Sequence, residues 1–235
     1  MMSYNVHHCN PPSKPGLIDV DAIVNVIKAQ QPDVVALQEI DVHTKRSGAS
    51  NQAEEIGRKL GMNHYFGKAI DYEGGEYGVA ILSRYPMSEA VVNRLPSKAE
   101  TKGEPRVLAT AKIMLPDGTA IRFGSTHLDA QKDPTNRKLQ MEEIVKIASS
   151  EKLPFVLAGD FNCTPASEEL QLLDRHFTRT CQSCEPTIPV NNPTRAIDFI
   201  AYAPVGKFRV LSHQVLPERY ASDHLPVVAV ITVEK

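Results

Sequence analysis

Two short motifs concentrate the groups that could do acid–base and metal chemistry: Gly159-Asp160-Phe161-Asn162 and Ser222-Asp223-His224-Leu225-Pro226. Each adjoins an apolar run, residues 155–158 before the first and residues 227–231 after the second. Runs of that kind read as buried strands, so carboxylates, an amide and an imidazole stand at the rim of a buried sheet. Charges in that position are costly to desolvate unless they are paired or bound to a cation. Metal-assisted hydrolysis of a phosphoester would be built from such a set.

Further polar residues recur at strand ends. Asn5 closes a first strand, Glu39 follows residues 34–37, and His127 follows a run ending near Ser125. Asp198 lies inside Arg195-Ala196-Ile197-Asp198-Phe199-Ile200. Taken singly, each has a plainer role: Asn5 a turn former, Glu39 a solvated acid, Asp160 and Asn162 an Asx turn, His127 a partly buried histidine. Asp198 could simply pair with Arg195, and Asp223 could be the acid before a strand. Six such placements in one chain point jointly to convergence, because antiparallel neighbours bring the end of one strand beside the start of the next.

The elements that must position these residues read from periodicity. In residues 17–30, Val20, Ile23, Val24 and Ile27 make one apolar helical face. Asn51 with Glu54 forms a capping box, Ile56 and Leu60 line one face, and Gly61 supplies the stop. Met141, Ile144, Val145 and Ala148 repeat the stripe over residues 137–149. Thr164-Pro165 predicts a cap and first-turn proline for a helix carrying Leu170 and Leu173. Residues 34–37, 79–82, 155–158 and 227–231 are apolar runs of the doubly buried kind. Residues 107–115 and 119–125 flank Pro116-Asp117-Gly118, a hairpin turn. Interspersed strands and helices with a clear hairpin imply an α/β (α+β) fold, two mixed sheets packed together with helices outside.

The 235 residues carry no repeat or linker and are expected to form one domain, residues 1–235, acting as a monomer. Apolar residues at 42% and charged residues at 23% are globular composition. A net charge of −2, 6% aromatics and no Trp give no footprint for tight nucleic-acid binding. Nucleic acid is therefore a possible but not a favoured partner. No apolar run approaches the roughly 20 residues of a membrane span. Met1-Met2-Ser3-Tyr4 enters the first strand almost directly, which reads as the mature part of a longer, exported precursor; a cytoplasmic chain is the alternative. Cys181 and Cys184 form an isolated C-x-x-C, free or paired locally. Cys9 and Cys163 have no partner that would make a nucleophile.

The ordered set Tyr4-Asn5-Val6-His7, residues 32–39 ending in Gln38-Glu39, residues 78–84, Ser125-Thr126-His127-Leu128, Gly159-Asp160-Phe161-Asn162, Ile197-Asp198-Phe199-Ile200 and Ser222-Asp223-His224-Leu225-Pro226 resembles the endonuclease/exonuclease/phosphatase family. The family includes pancreatic-type deoxyribonuclease, abasic-site endonucleases, neutral sphingomyelinases, inositol-polyphosphate phosphatases and deadenylases. The resemblance implies a four-layer α/β/β/α sandwich, with the site where the two sheets meet, and a Mg²⁺- or Mn²⁺-dependent phosphoester hydrolase with one or two ions. By position it implies Asn5 and Glu39 as metal ligands and Asp223 as a further ligand or the holder of a second ion. Asp160 and Asn162 would position water and phosphate, and His224 would be oriented by Asp198. His127 would contact the phosphate or protonate the leaving oxygen. Which of Asp160 and His224 takes the water's proton stays open.

Weaker candidates are Tyr77 as a donor to the phosphate and Arg46 as a bidentate phosphate contact. His7 or His8 would face the site by strand alternation with Asn5. Arg106 could support the site from behind, and Arg137 with Gln140 reads as a surface pair. Val79 departs from the polar residue that many relatives carry there. Dispersed basic residues and a short acidic loop at residues 71–76 favour neither a nuclease, a sphingomyelinase nor an inositol-phosphate phosphatase. A compact hydrolase of a small or soluble phosphoester remains, with a nuclease as the alternative within the family. A catalytically inactive phosphoester-binding module is the alternative outside it.

Overall fold

The computed structural model describes residues 1–234. Its first sheet contains β1 (Met2–Asn5), β2 (Val34–Val42), β3 (Asn63–Tyr72), β4 (Gly75–Ser83), β11 (Phe208–Val215) and β12 (Val227–Val233), in the order β11-β12-β1-β2-β4-β3. The second contains β5 (Met87–Arg94), β6 (Val107–Met114), β7 (Ala120–His127), β8 (Phe155–Asp160), β9 (Thr178–Arg179) and β10 (Asp198–Ala203), in the order β5-β6-β7-β8-β10-β9. Each sheet is mixed: β1 with β2 and β7 with β8 are parallel, and the other pairs antiparallel.

Three apolar layers hold four layers of structure together. Ala36, Ile81, Ala109, Phe123, Val156 and Ile200 fill the space between the sheets. Helices α1 (Val20–Gln30) and α2 (Gln52–Leu60) bury Ile23, Ile27 and Ile56 against Tyr4 and Leu37 of the first sheet. Helices α3 (Thr135–Ser150) and α4 (Glu168–Asp174) bury Met141, Ile144 and Leu170 against Leu157 and Phe199 of the second. The strands that read as doubly buried do so because each sheet has a helical layer on one face and the other sheet on its other face.

Several boundaries differ from the sequence reading, for local reasons. Helix α4 starts after Ser167, whose Oγ accepts from Leu170 N at 3.2 Å. Thr164-Pro165 instead opens a turn, with Ser167 N donating to Thr164 O. Helix α1 begins at Val20 because Asp19 Oδ1 caps Ala22 N at 3.0 Å. Strands β3, β5 and β11 escape the periodicity: each has many exposed or half-exposed positions, so no continuous apolar run marks it. The acidic loop at residues 71–76 is a tight turn between β3 and β4, with Glu73 and Gly74 both at positive φ. Cys181 and Cys184 are joined as a local disulfide. Among the described residues, no helix is long and apolar enough to cross a membrane.

Candidate active site

Strand register assembles half of the site. In the second sheet His127 stands opposite Asp160, and Asp160 opposite Asp198, so three polar residues form one row across β7, β8 and β10. Close approach in that row depends on Gly159: a Cβ there would lie 2.2 Å from Thr126 O. In the first sheet Asn5 ends β1, and Glu39 sits within β2, not after it. A register shift between Gln38 and Ile40 bulges the strand at Glu39, which adopts φ +59°. Such a bulge re-aims one side chain out of the pleat.

Asn5 joins the two sheets. Its Nδ2 donates to Glu39 Oε1 and to Asp160 Oδ2, each at 3.1 Å. Asp160 Oδ2 also lies 3.5 Å from His127 Nε2 and 3.7 Å from His224 Nε2. On its other oxygen, Oδ1 accepts from Asn162 N at 2.9 Å. Asn162 itself is at φ +50° and donates its side-chain amide to Leu128 O. Behind His224, Nδ1 meets Asp198 Oδ2 at 2.9 Å, and Thr187 Oγ1 donates to the same oxygen at 2.5 Å. The loop carrying His224 is tied to β1 through Ser222 Oγ, which donates to Asn5 O at 2.7 Å.

Burial sets the protonation of this group. It drives the Asp160 carboxyl up to about 7, and the adjacent Asp198 charge adds to that; His224 and the Asn162 and Asn5 amides offset it only in part. Burial alone would lower His224, but the Asp198 and Asp160 charges outweigh it and carry the imidazole up to about 10. His127 is held neutral, well below 6.5, first by burial and then by the Arg106 cation. Tyr77 keeps its proton because burial and the Glu39 charge raise the phenol. For Glu39, burial is more than offset by His8, His127 and Asn5, so its carboxyl falls well below the usual range.

The remaining candidates divide. Tyr77 is buried and faces the crevice beside Glu39, with Arg46, Tyr72 and Glu104. His8 approaches Glu39 at 3.9 Å, but strand alternation does not put it there: β1 ends at Asn5, and His7, His8 and Cys9 turn away at positive φ. His7 gives Nδ1 to Asn10 O. Asn5 Oδ1 accepts from His7 N, so the amide turns its nitrogen, not its oxygen, toward the two acids. The fork of Arg46 is already taken, with Nε at 2.7 Å and Nη2 at 2.9 Å from the Asp41 carboxylate, and its plane stacks 4.6 Å from the Tyr72 ring. Asp223 is half-exposed, with its Oδ1 3.4 Å from the Ser222 hydroxyl. Among the described residues no hydrogen bond ties it to Asn5 or Glu39.

Arg137 and Gln140 are buried, not a surface pair. Arg137 bridges to Glu169 at 3.1 Å, and Gln140 Oε1 accepts from Asp129 N. Val79 packs in the layer between the sheets. Sequence reasoning missed Thr187, a lone loop hydroxyl with no periodic or motif signal, as the support of Asp198, and gave Ser222 no role although it opens the Ser222–Pro226 motif.

The chain matches the model of the Endonuclease/Exonuclease/phosphatase family over residues 2–224. It belongs to that family. Its members are usually phosphoester hydrolases that use divalent metals. The chain is 27% identical to the uncharacterised protein YbhP of Escherichia coli (strain K12) over 222 residues, 88% of this chain and 86% of that protein. Among solved structures it is similar to an endonuclease/exonuclease/phosphatase of Beutenbergia cavernae, at 26% identity and TM-score 0.86, covering 99% of this chain and 70% of that one. It shares the fold of a Bacteroides thetaiotaomicron mannosyl-6-phosphatase, Bt3783, at 19% identity and TM-score 0.78, with 98% of each chain covered.

Proposed function

We propose that this protein is a divalent-metal-dependent hydrolase of a small or soluble phosphoester. The observation that carries the reading is the environment of one oxygen: Asp160 Oδ2 has the Asn5 amide, His127 Nε2 and His224 Nε2 within 3.1 to 3.7 Å. A carboxylate oriented by two amides between two imidazoles can take a proton from a water attacking phosphorus. His224 is kept protonated by Asp198, so it supplies positive charge and a donor to the phosphoryl oxygens and leaves proton acceptance to Asp160. Neutral His127 and the Tyr77 phenol complete the donors, and Asn162 holds Asp160 in place.

The residues present fit a hard divalent ion. Glu39 and Asp160 present carboxylate oxygens to the same Asn5 amide, each at 3.1 Å, and a cluster of hard oxygen donors suits such an ion. Asp160, Asp198 and His224 also cluster closely enough to hold an ion, but Asp198 already spends its Oδ2 on His224 and Thr187. Glu39 is therefore the proposed holder of Mg²⁺ or Mn²⁺, with Asn5 joining if its amide turns over, and Asp160 is left as the base. Asp223 would belong only to a second ion. When bound, the ion would polarise the phosphoryl oxygen and offset charge developing on it.

Against a nucleic-acid substrate stand a net charge of −2, 6% aromatic residues and no Trp, which give neither a basic track for a phosphate backbone nor a stacking platform. A protein of this fold named for mannosyl-6-phosphatase activity accords with a small substrate. The test is hydrolysis of a generic phosphodiester, a phosphomonoester and supercoiled plasmid in Mg²⁺ and Mn²⁺, with Asp160→Ala alongside. Mutant-sensitive cleavage of a small ester supports the reading, plasmid cleavage alone would replace it with a nuclease, and silence on all three would favour an inactive binding module.

A further inference from the structure

Arg106 stands next to the row of site residues without belonging to it by any motif. It immediately precedes β6, and the register Leu108 to Thr126 continues to set it across from Leu128, one residue beyond His127. The side chain is buried, 7% exposed, and it lines a narrow crevice with Tyr77, Gly78 and His127. Its charge reaches His127, and the Tyr77 phenol is a hydrogen-bonding neighbour of the guanidinium.

The guanidinium is incompletely satisfied. Nη1 pairs with Glu104 Oε1 at 2.9 Å, but Nε is buried with no hydrogen-bond partner. A guanidinium offers five N–H donors in a fork that matches a phosphoryl group. Leaving a buried donor of a charged group unmade costs free energy unless an anion arrives to take it. Glu104, the single acid that holds Arg106, is over one-third exposed and lines the neighbouring crevice with Glu39, Tyr72 and Tyr77.

The loop that carries both residues is pinned. Asn136 accepts from Lys98 N at 3.0 Å and donates to Thr101 Oγ1 at 2.8 Å and to Asp129 Oδ2 at 2.7 Å. Gly103 packs so tightly on this latch that a Cβ would lie 2.1 Å from Asp129 Oδ2 and 2.2 Å from Asn136 Nδ2. Arg106 is thus carried by a fixed loop and set beside Tyr77 and His127.

Resting on the reading of the site as a phosphoester hydrolase, we infer that Arg106 contacts the phosphoryl group of the substrate, with Glu104 as the counterion that holds the guanidinium until that group binds. Arg46, the arginine that the sequence offered for this task, is already committed to Asp41.

The test uses the intact chain and inorganic phosphate as probe, with binding followed by calorimetry in chelator and in Mg²⁺. Arg106→Gln should weaken phosphate binding at least about tenfold. It should also lower kcat/KM on whichever phosphoester the wild type cleaves by about 10²–10³-fold, the scale of one lost transition-state donor. Arg106→Lys should recover part of both, since the charge returns without the fork. Glu104→Gln releases the guanidinium and should tighten phosphate binding. Phosphate affinity within about threefold of wild type in Arg106→Gln overturns the inference. If Arg106→Gln does not fold, unchanged or weaker binding in Glu104→Gln overturns it. The two readings fail separately: Arg106-dependent phosphate binding without any hydrolysis sinks the enzymatic reading alone, and hydrolysis indifferent to Arg106→Gln sinks this one alone.

Discussion

Asp198→Asn keeps the size of the side chain and removes one charge, so it isolates what the carboxylate does for His224. The two are buried together with Oδ2 and Nδ1 2.9 Å apart. At an effective dielectric of about 20, unit charges at that separation attract by roughly 6 kcal/mol. The rise of the imidazole from 6.5 to about 10 corresponds to about 5 kcal/mol favouring the charged ring, and Asp198 is the largest of the charges behind it, ahead of Asp160 and Asp223. The amide removes most of this, because Asp160 remains but burial then dominates. The His224 titration should fall by about 2 pH units or more. An amide can also present its nitrogen to Nδ1 and force the other tautomer. Turnover should drop by roughly 10²–10³-fold, the range for losing one charged donor to the transition state. The assay is kcat/KM over about pH 5 to about pH 10, beside two-dimensional ¹H–¹⁵N spectra of the histidine rings. Activity within tenfold of wild type, with the ring titration moved by less than about half a pH unit, would refute the reasoning.

Four other outcomes are expected. Gly159→Ala places a methyl 2.2 Å from a backbone carbonyl that cannot retreat. It should cost about 1–3 kcal/mol and lower Tm by several degrees, and an unchanged Tm would contradict the packing argument. In chelator, stability should decline toward alkaline pH. The contribution of His224 is fully present below 6.5 and lost as pH rises through about 10; that of Asp160 is present below 3.8 and lost through about 7. A denaturation midpoint that rises between about pH 7 and about 10 would run against the first, and one that rises between about pH 4 and about 7 against the second. Excess chelator should abolish hydrolysis and added Mg²⁺ or Mn²⁺ restore it, with Glu39→Gln needing at least about tenfold more metal; activity persisting in chelator removes the ion from the mechanism. Thr187→Val deletes the hydroxyl bonded to Asp198 and should reduce kcat by about tenfold to a hundredfold at unchanged KM, the scale of roughly 1.5–3 kcal/mol for one hydrogen bond to a charged group. A change confined to KM would exclude that role.

Much of the architecture was legible because local physics and the fold agree. The apolar stripe of residues 20–27 could only be one face of a helix, and the runs at residues 34–37, 79–82 and 155–158 could only be strands covered on both sides. Polar groups beside those runs, at Asn5, His127, Asp160 and His224, had to stand at a sheet rim, since burying them unpaired is too costly. Those facts follow from periodicity and desolvation, and both are properties of the chain itself. Strands β3, β5 and β11 were not legible, because edge and half-solvated positions carry no apolar run.

What only the tertiary structure decided is which partner each side chain has. The bulge that aims Glu39 arises from the pairing of β2 with β4, not from the residues of β2. Arg46 and Arg106 are alike in sequence, each a basic residue in a polar loop. Folding gives the first the whole carboxylate of Asp41 and leaves the second with a buried Nε that has no hydrogen-bond partner. Residue type states which interactions a side chain can make; long-range register determines which it does make, because the competing groups come from strands that are distant in sequence and adjacent only once the two sheets have packed.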